Sequence, residues 1–329
     1  MRNDIIEFTS AYLVNAASVA GRKESEGPLR SLFDSFCSDD RFGQDTWEKS
    51  ESEMVRLTLK ALTDKCGIAP GDIDCAIGGD LLDQCVATSH AVNNSGVPYL
   101  GLYGACSTAA EAVLVASLLA STGRRSAAFA SSHFCSAERQ YRYPLEYGSQ
   151  RTPTAQNTVT GCGAFLISPD PTPVRITEAV IGSVQDNGVS DANNMGAAMA
   201  TAAVDTILRY FNSSGRSPAE FDIIATGDLG REGYEIACEL LTRCGLDLCG
   251  RFTDCGMLIY DIDRQDVHAG GSGCGCSAAV FASYVCPRLI SGEINKAVLI
   301  GTGALLSPIS VIQNKIIPSV AHLVCFERC

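Results

Sequence analysis

Several common devices for binding and catalysis are missing from this chain, and each absence narrows what it can be. No Walker phosphate loop occurs, and Gly301-Thr-Gly303 is too short to be a dinucleotide fingerprint. No EF-hand spacing occurs, so a dedicated calcium loop has no support. Cys274-Gly-Cys276 lacks a second pair at zinc-ligand spacing, and its glycines read as a tight strand-to-helix turn. No apolar run approaches the ~20 residues needed to span a bilayer. Ala112–Ala120 is the longest convincing run, and it reads as a core helix. The opening Met-Arg-Asn-Asp-Ile-Ile-Glu carries acids where a secretory signal carries bases. An intracellular protein is expected, its sixteen cysteines reduced and scattered through apolar segments, with any membrane contact peripheral. Positive charge is also short, since 25 Lys and Arg face 37 Asp and Glu for a net charge of −12. That balance argues against nonspecific binding to nucleic acid or anionic lipid, and an anionic ligand would need a local cluster of cations or a metal counter-ion.

What the chain does have is alternation. Its 329 residues, 46% hydrophobic and 19% charged, suit a compact α/β protein. Residues 68–82, IAPGDIDCAIGGDLL, are echoed by residues 217–230, SPAEFDIIATGDLG, and each follows a helical pattern of apolar residues. A second echo pairs YGACSTAAEAV (103–113) with GSGCGCSAAV (271–280), aligning Cys106-Ser107 with Cys276-Ser277. After each comes an apolar helix, a Gly and a strand, SAAFASS (126–132) and KAVLIGTG (296–303). Two matches in the same order imply a tandem duplication, each half built of strands and helices around a mostly parallel sheet. The division is expected near Ser168-Pro-Asp-Pro-Thr-Pro173, giving halves at 1–170 and 171–329 that pack into one body.

Cys106 sits among small residues where the strand Val97–Leu102 turns through Tyr103-Gly-Ala into a helix. A helix N-terminus stabilises a thiolate, and small neighbours admit a substrate carbonyl, so the geometry suits a nucleophile. At this point the chain resembles the thiolase and ketoacyl-synthase superfamily. A closer resemblance is to the stage V sporulation protein AD family of endospore-forming bacteria. It is carried by residues 14–34, 78–84, 131–164, 268–278 and 301–308, with the block Glu138–Gly163 the most specific. The resemblance runs from about residue 10 onward. It implies a thiolase-like fold, two duplicated strand-helix halves packed as a layered αβαβα body. It also implies binding of dipicolinic acid, or its calcium chelate, during uptake into the developing spore. Membrane-embedded proteins of the same operon are the implied partners, the forespore, peripheral to the inner spore membrane, is the implied place, and a homodimer is expected from how the fold usually pairs. No cofactor is expected beyond calcium carried with the ligand.

The resemblance to condensing enzymes is incomplete. Those enzymes pair their cysteine with histidine and asparagine, or two histidines, from the second half. Here Asp228 stands after the strand FDIIATG, and Gly270-Gly271-Ser272-Gly273 replaces the asparagine. An aspartate donates no hydrogen bond to an enolate oxygen unless protonated. Of the four histidines, His90 reads as structural on a helix and His268 opens a glycine-rich loop, while His133 and His322 are the two that could converge on Cys106. Three roles stay open for Cys106: wall of a ligand pocket, which is preferred, acyl-accepting nucleophile, or packing. An enzyme is not the preferred reading, and an acyltransferase of the thiolase type is the alternative.

Residues 138–161 form a long polar segment expected to be an ordered cap over the pocket or an interface. Arg139, Arg142 and Arg151 are its cations, suited to carboxylates, and Tyr141, Tyr143 or Tyr147 could stack on a flat ring. Asp80 and Asp228 end equivalent strands and either face the pocket or cap the following helices. The expected ligand-binding set is Cys106, His133, Asp80, Arg139, Arg142, Gly303 and His322, with Gly301–Ala304 part of the wall and no resident metal.

Overall fold

The structure is a computed structural model that describes residues 4–142, 151–248, 250–307, 309, 313 and 315–329. Local signals set its two longest helices. Thr46 accepts the Lys49 N–H to start Trp47–Cys66, and Gly67 ends it in the left-handed region at φ 64°. Asn194 and Gly215 do the same for Met195–Ser214. The first buries Met54, Val55, Thr58 and Leu62 on one face, each large apolar side chain contributing roughly 1.5–3 kcal/mol.

Ten strands make the main path of one sheet. Five belong to the first half, in the order Tyr99–Gly101, Cys75–Gly79, Ser126–Ser132, Gly161–Ser168 and Tyr12–Ala20. Five belong to the second, in the matching order Phe252–Asp254, Ile223–Thr226, Lys296–Ala304, Ser319–Arg328 and Val174–Val180. The senses match as well. In each half the first three strands are parallel and the last two turn antiparallel. The halves meet where Tyr12 and Leu13 pair with Arg175 and Val174. Short pieces at Ile5–Glu7 and Ser35–Phe36 add to Val174–Val180 and Tyr12–Ala20.

Helices stack in three layers around the two strand arrays. Trp47–Cys66 and Val86–Val92 cover the outer face of the first array, and Met195–Ser214 covers the second, backed by Gly230–Arg243. Between the arrays lies Thr108–Ala120, packed on strands of both, beside the run Cys274–Ser291. That run has the length and mean hydropathy, 1.2, of a spanning helix, and so corrects the expectation that Ala112–Ala120 is the longest apolar run. It is 72% buried inside the protein, and its apolarity answers to neighbours on every side. The crossing with Gly161–Ser168 is close. A Cβ on Gly163 would stand 2.1 Å from the Ala278 carbonyl oxygen, and one on Gly275 would stand 2.2 Å from that of Gly161.

The polar segment from residue 138 is not a cap throughout. Phe134–Arg142 is helical, with Phe134, Ala137 and Tyr141 on one face, and Asn157–Thr158 forms a small ladder with Gly271–Ser272.

Candidate functional site

After the strand Tyr99–Gly101 the chain enters the turn Ala105–Ser107, which leads directly into the helix Thr108–Ala120. Ala105 takes φ +52°, a conformation a residue with a Cβ rarely holds, and it sets Cys106 at the helix entrance. The turn is braced on two sides. The Ser107 hydroxyl donates to the Gly104 carbonyl at 2.6 Å. Gly303 lies so close that a Cβ there would be 2.8 Å from the Gly104 carbonyl oxygen, which locks the end of Lys296–Ala304 against the turn. Below it, Glu111 accepts from Ser107 at 3.2 Å and from His322 Nε2 at 3.0 Å. Because His322 Nδ1 accepts the Gly182 N–H at 3.1 Å, Nε2 must carry the proton it donates to Glu111.

The group beside Cys106 is an acid. Asp228 Oδ2 accepts from the Ser272 hydroxyl and the Gly273 N–H, both at 2.9 Å, and Oδ1 accepts from Thr302 at 2.7 Å. Ser272 Oγ in turn lies 4.0 Å from Cys106 Sγ. Gln156 fixes this loop by donating to the carbonyls of Asp228 and Gly271 at 2.7 and 2.9 Å. Burial pushes the Cys106 thiol well above its ordinary pKa, and the Asp228 charge pushes it the same way. Burial also raises Asp228, against the pull of its hydrogen bonds. The helix entrance that could favour a thiolate is therefore opposed by desolvation and by a neighbouring carboxylate.

Over the sulfur lies a slot of about 50 Å³ that widens to about 480 Å³ with its open mouth. Leu81, Ala105, Ala137, Tyr141, Met195 and Leu306 give it apolar walls around Cys106, and Ala304 closes one end. Its polar lining is Ser272, Thr158 and Glu138, with Thr158 donating to Glu138 at 3.0 Å. Among the described residues its one charged lining group is thus a carboxylate. No cluster of three or more His, Cys, Asp or Glu is placed to hold a metal ion among the described residues.

The structure places the other expected residues as follows. His133 does not reach Cys106. It is fully buried, Nε2 donates to the Asp40 carbonyl at 2.9 Å, Nδ1 accepts the Cys135 N–H, and its ring lies 5.4 Å from that of Trp47. Burial lowers its pKa and keeps it neutral. His322 braces Glu111 instead of converging with His133 on the thiol. Asp80 accepts from the N–H groups of Leu82 and Thr88 and from the Thr88 hydroxyl, which is the capping role. Arg139 pairs with Glu48 on the long outer helix, and Arg151 pairs with Asp266. The Arg142 side chain, and Tyr143, Glu146 and Tyr147, lie outside the described residues. Gly303 stands behind the cysteine turn, and Ala304 beside it lines the slot.

Asp254 went unread in the sequence. It holds the N–H groups of Leu229, Gly230 and Met257 and the Thr226 hydroxyl, and so fixes the loop that carries Asp228. Burial raises its pKa to about 6. The available signal was an acid ending the strand FTD ahead of a helix start.

A family model described as stage V sporulation protein AD matches residues 3–327. Stage V sporulation protein AD of Bacillus subtilis is 43% identical over 324 residues, covering 98% of this chain and 96% of that protein. Among solved structures, 3-oxoacyl-[acyl-carrier-protein] synthase III from Aquifex aeolicus superposes with a TM-score of 0.58 at 10% identity, covering 96% of this chain and 99% of that one. The corresponding synthase III from Xanthomonas oryzae gives 0.59 at 14%, covering 97% and 100%. A variant of Xanthomonas campestris OleA gives 0.59 at 12%, covering 97% and 99%. At such identities these structures establish the fold alone, which is thiolase-like.

Proposed function

The chain belongs to the stage V sporulation protein AD family, and from that membership we propose that it binds dipicolinic acid in the slot over Cys106 and serves dipicolinate uptake into the developing spore. The observation that carries this reading is the company Cys106 keeps. The cysteine stands at a helix entrance in a thiolase-like fold, yet its neighbour is the carboxylate of Asp228, and His133 and His322 are engaged elsewhere, on the Asp40 carbonyl and on Glu111. A thiol so held serves better as a wall than as a nucleophile. Tyr141 lines the slot with an aromatic ring for a flat heteroaromatic acid, and the hydroxyl oxygens of Thr158 and Ser272, whose protons go to Glu138 and Asp228, can face a cation. Glu138 repels a bare dianion but can give an oxygen to calcium, so the ligand enters as its calcium chelate. The protein then acts in the forespore, peripheral to the inner spore membrane, as a homodimer beside the membrane-embedded proteins of its operon.

A second reading is an acyltransferase using Cys106, favoured by the strained Ala105 turn. Intact mass after incubation with acyl-coenzyme A donors separates the two, and an adduct lost in Cys106→Ala would establish the second. The test of the first is calorimetric titration with dipicolinate, with and without calcium. Saturable heat that grows with calcium, and weakens in Cys106→Ala and Glu138→Gln, is expected. No heat under either condition removes the binding reading.

A further inference from the structure

A second pocket lies away from Cys106, on the outer face of the first strand array. It is about 240 Å³, or about 740 Å³ with its mouth. It exists because the sheet is bare there. Ala76 and Ala127, on adjacent strands, present only methyl groups, where larger residues would fill the space under the long helix. Leu59, Ile73, Val92 and Val97 make the sides. The mouth is formed by Arg56, Leu59, Lys60 and Thr63, one stripe of Trp47–Cys66 at helical spacing.

The charged residues that line the pocket are of one sign. Arg56 and Lys60 are the charged lining residues, one turn and about 6 Å of helix apart. They stand out in a chain of net charge −12. Each is held by an acid about one turn away on the same helix, Arg56 by the preceding Glu53 and Lys60 by the following Asp64, and both cations are mostly exposed. Ion pairs of this kind contribute little and exchange readily for another anion. A deep apolar hole with two cations at its lip has the chemistry of an amphiphile site.

We propose that this pocket takes a single alkyl chain bearing an anionic head group, with the chain on Ala76 and Ala127 and the head between Arg56 and Lys60. The volume suits roughly eight methylenes, taking each as about one water volume of ~30 Å³. The net negative charge disfavours indiscriminate adsorption to anionic surfaces, whereas a local pair of cations over an apolar cavity selects one molecule.

The test uses the full chain and decanoate, read by displacement of a fluorescent fatty acid and by native mass spectrometry. One-to-one saturable binding is expected. It should weaken at least tenfold in Arg56→Glu/Lys60→Glu and be lost in Ala91→Phe, which puts a ring into the cavity from a lining position on the helix Val86–Val92. Melting temperature checks that each variant folds. Decanol should bind at least tenfold more weakly than decanoate, and equal binding would overturn the head-group assignment. No saturable binding of decanoate, or binding unchanged in both variants, would overturn the site. A second arm with phosphatidylglycerol vesicles identifies the source. Flotation with vesicles that needs the same residues assigns the chain to a bilayer lipid, and decanoate binding without flotation assigns it to a free fatty acid.

Discussion

At the scale of single residues, the site is governed by where carboxylates are buried. Asp228→Asn keeps most of the hydrogen bonds around Ser272, Gly273 and Thr302 but removes the charge that opposes a thiolate. Alkylation of Cys106 by iodoacetamide at pH 8 should then quicken by tenfold or more, with its rate-against-pH curve moved to lower pH. An unchanged rate would free Asp228 of that role. Glu24 offers a stability test. Its carboxyl accepts from Thr160 N–H and from Tyr260, its second oxygen is buried with no partner among the described residues, and burial pushes its pKa up to about 7 from 4.5. The folded state therefore holds a proton that the unfolded state releases between about pH 4.5 and 7, so this contribution is full below 4.5 and lost as pH rises to 7. Over that window it amounts to roughly 3 kcal/mol, at about 1.4 kcal/mol for each pH unit. Glu24→Gln should raise the melting temperature at pH 8 more than at pH 5, as read by scanning calorimetry. Cys106 was legible because its small neighbours and helix entrance are contiguous. The partners of His133 and His322 were not, since Asp40 and Glu111 lie 93 and 211 positions away and nothing local marks them.

At the scale of elements, the duplication was readable because the Gly-Asp-Leu strand ends and the Cys-Ser helix starts repeat in order. The same repeat misled about equivalence. Asp80 caps the helix that follows its own strand, whereas Asp228 reaches across to Gly273 and leaves the capping of its following helix to Asp254 from the neighbouring strand. Helix crossings were legible only as glycine content. Gly163→Ala puts a methyl against the Ala278 carbonyl, a backbone contact that no rotamer change relieves, and should cost about 1–3 kcal/mol or more. The midpoint of urea unfolding measures it. Gly123→Ala, with open space around it but φ +86°, separates crowding from backbone strain, and a smaller loss is expected there.

At the scale of the whole molecule, the strand array of the first half ends on Tyr99–Gly101, a short edge with Leu100 exposed and Tyr103 half exposed just beyond. An apolar open edge is a template for another strand, and a second copy is the expected occupant. Sedimentation equilibrium should give a dimer, and Leu100→Lys should shift it toward monomer with little change in melting temperature. A monomeric parent protein would remove the expectation. The order of the strands also has a consequence for synthesis. The first array is complete once Ser168 has been made, but the second has Ser319–Arg328 in its interior, between Val174–Val180 and Lys296–Ala304. Translation at about 5–20 residues per second puts on the order of ten to thirty seconds between those two points. For that interval the nascent chain carries one finished sheet whose apolar inner face has no second sheet to meet. Chaperone occupancy on the ribosome would concentrate in that window.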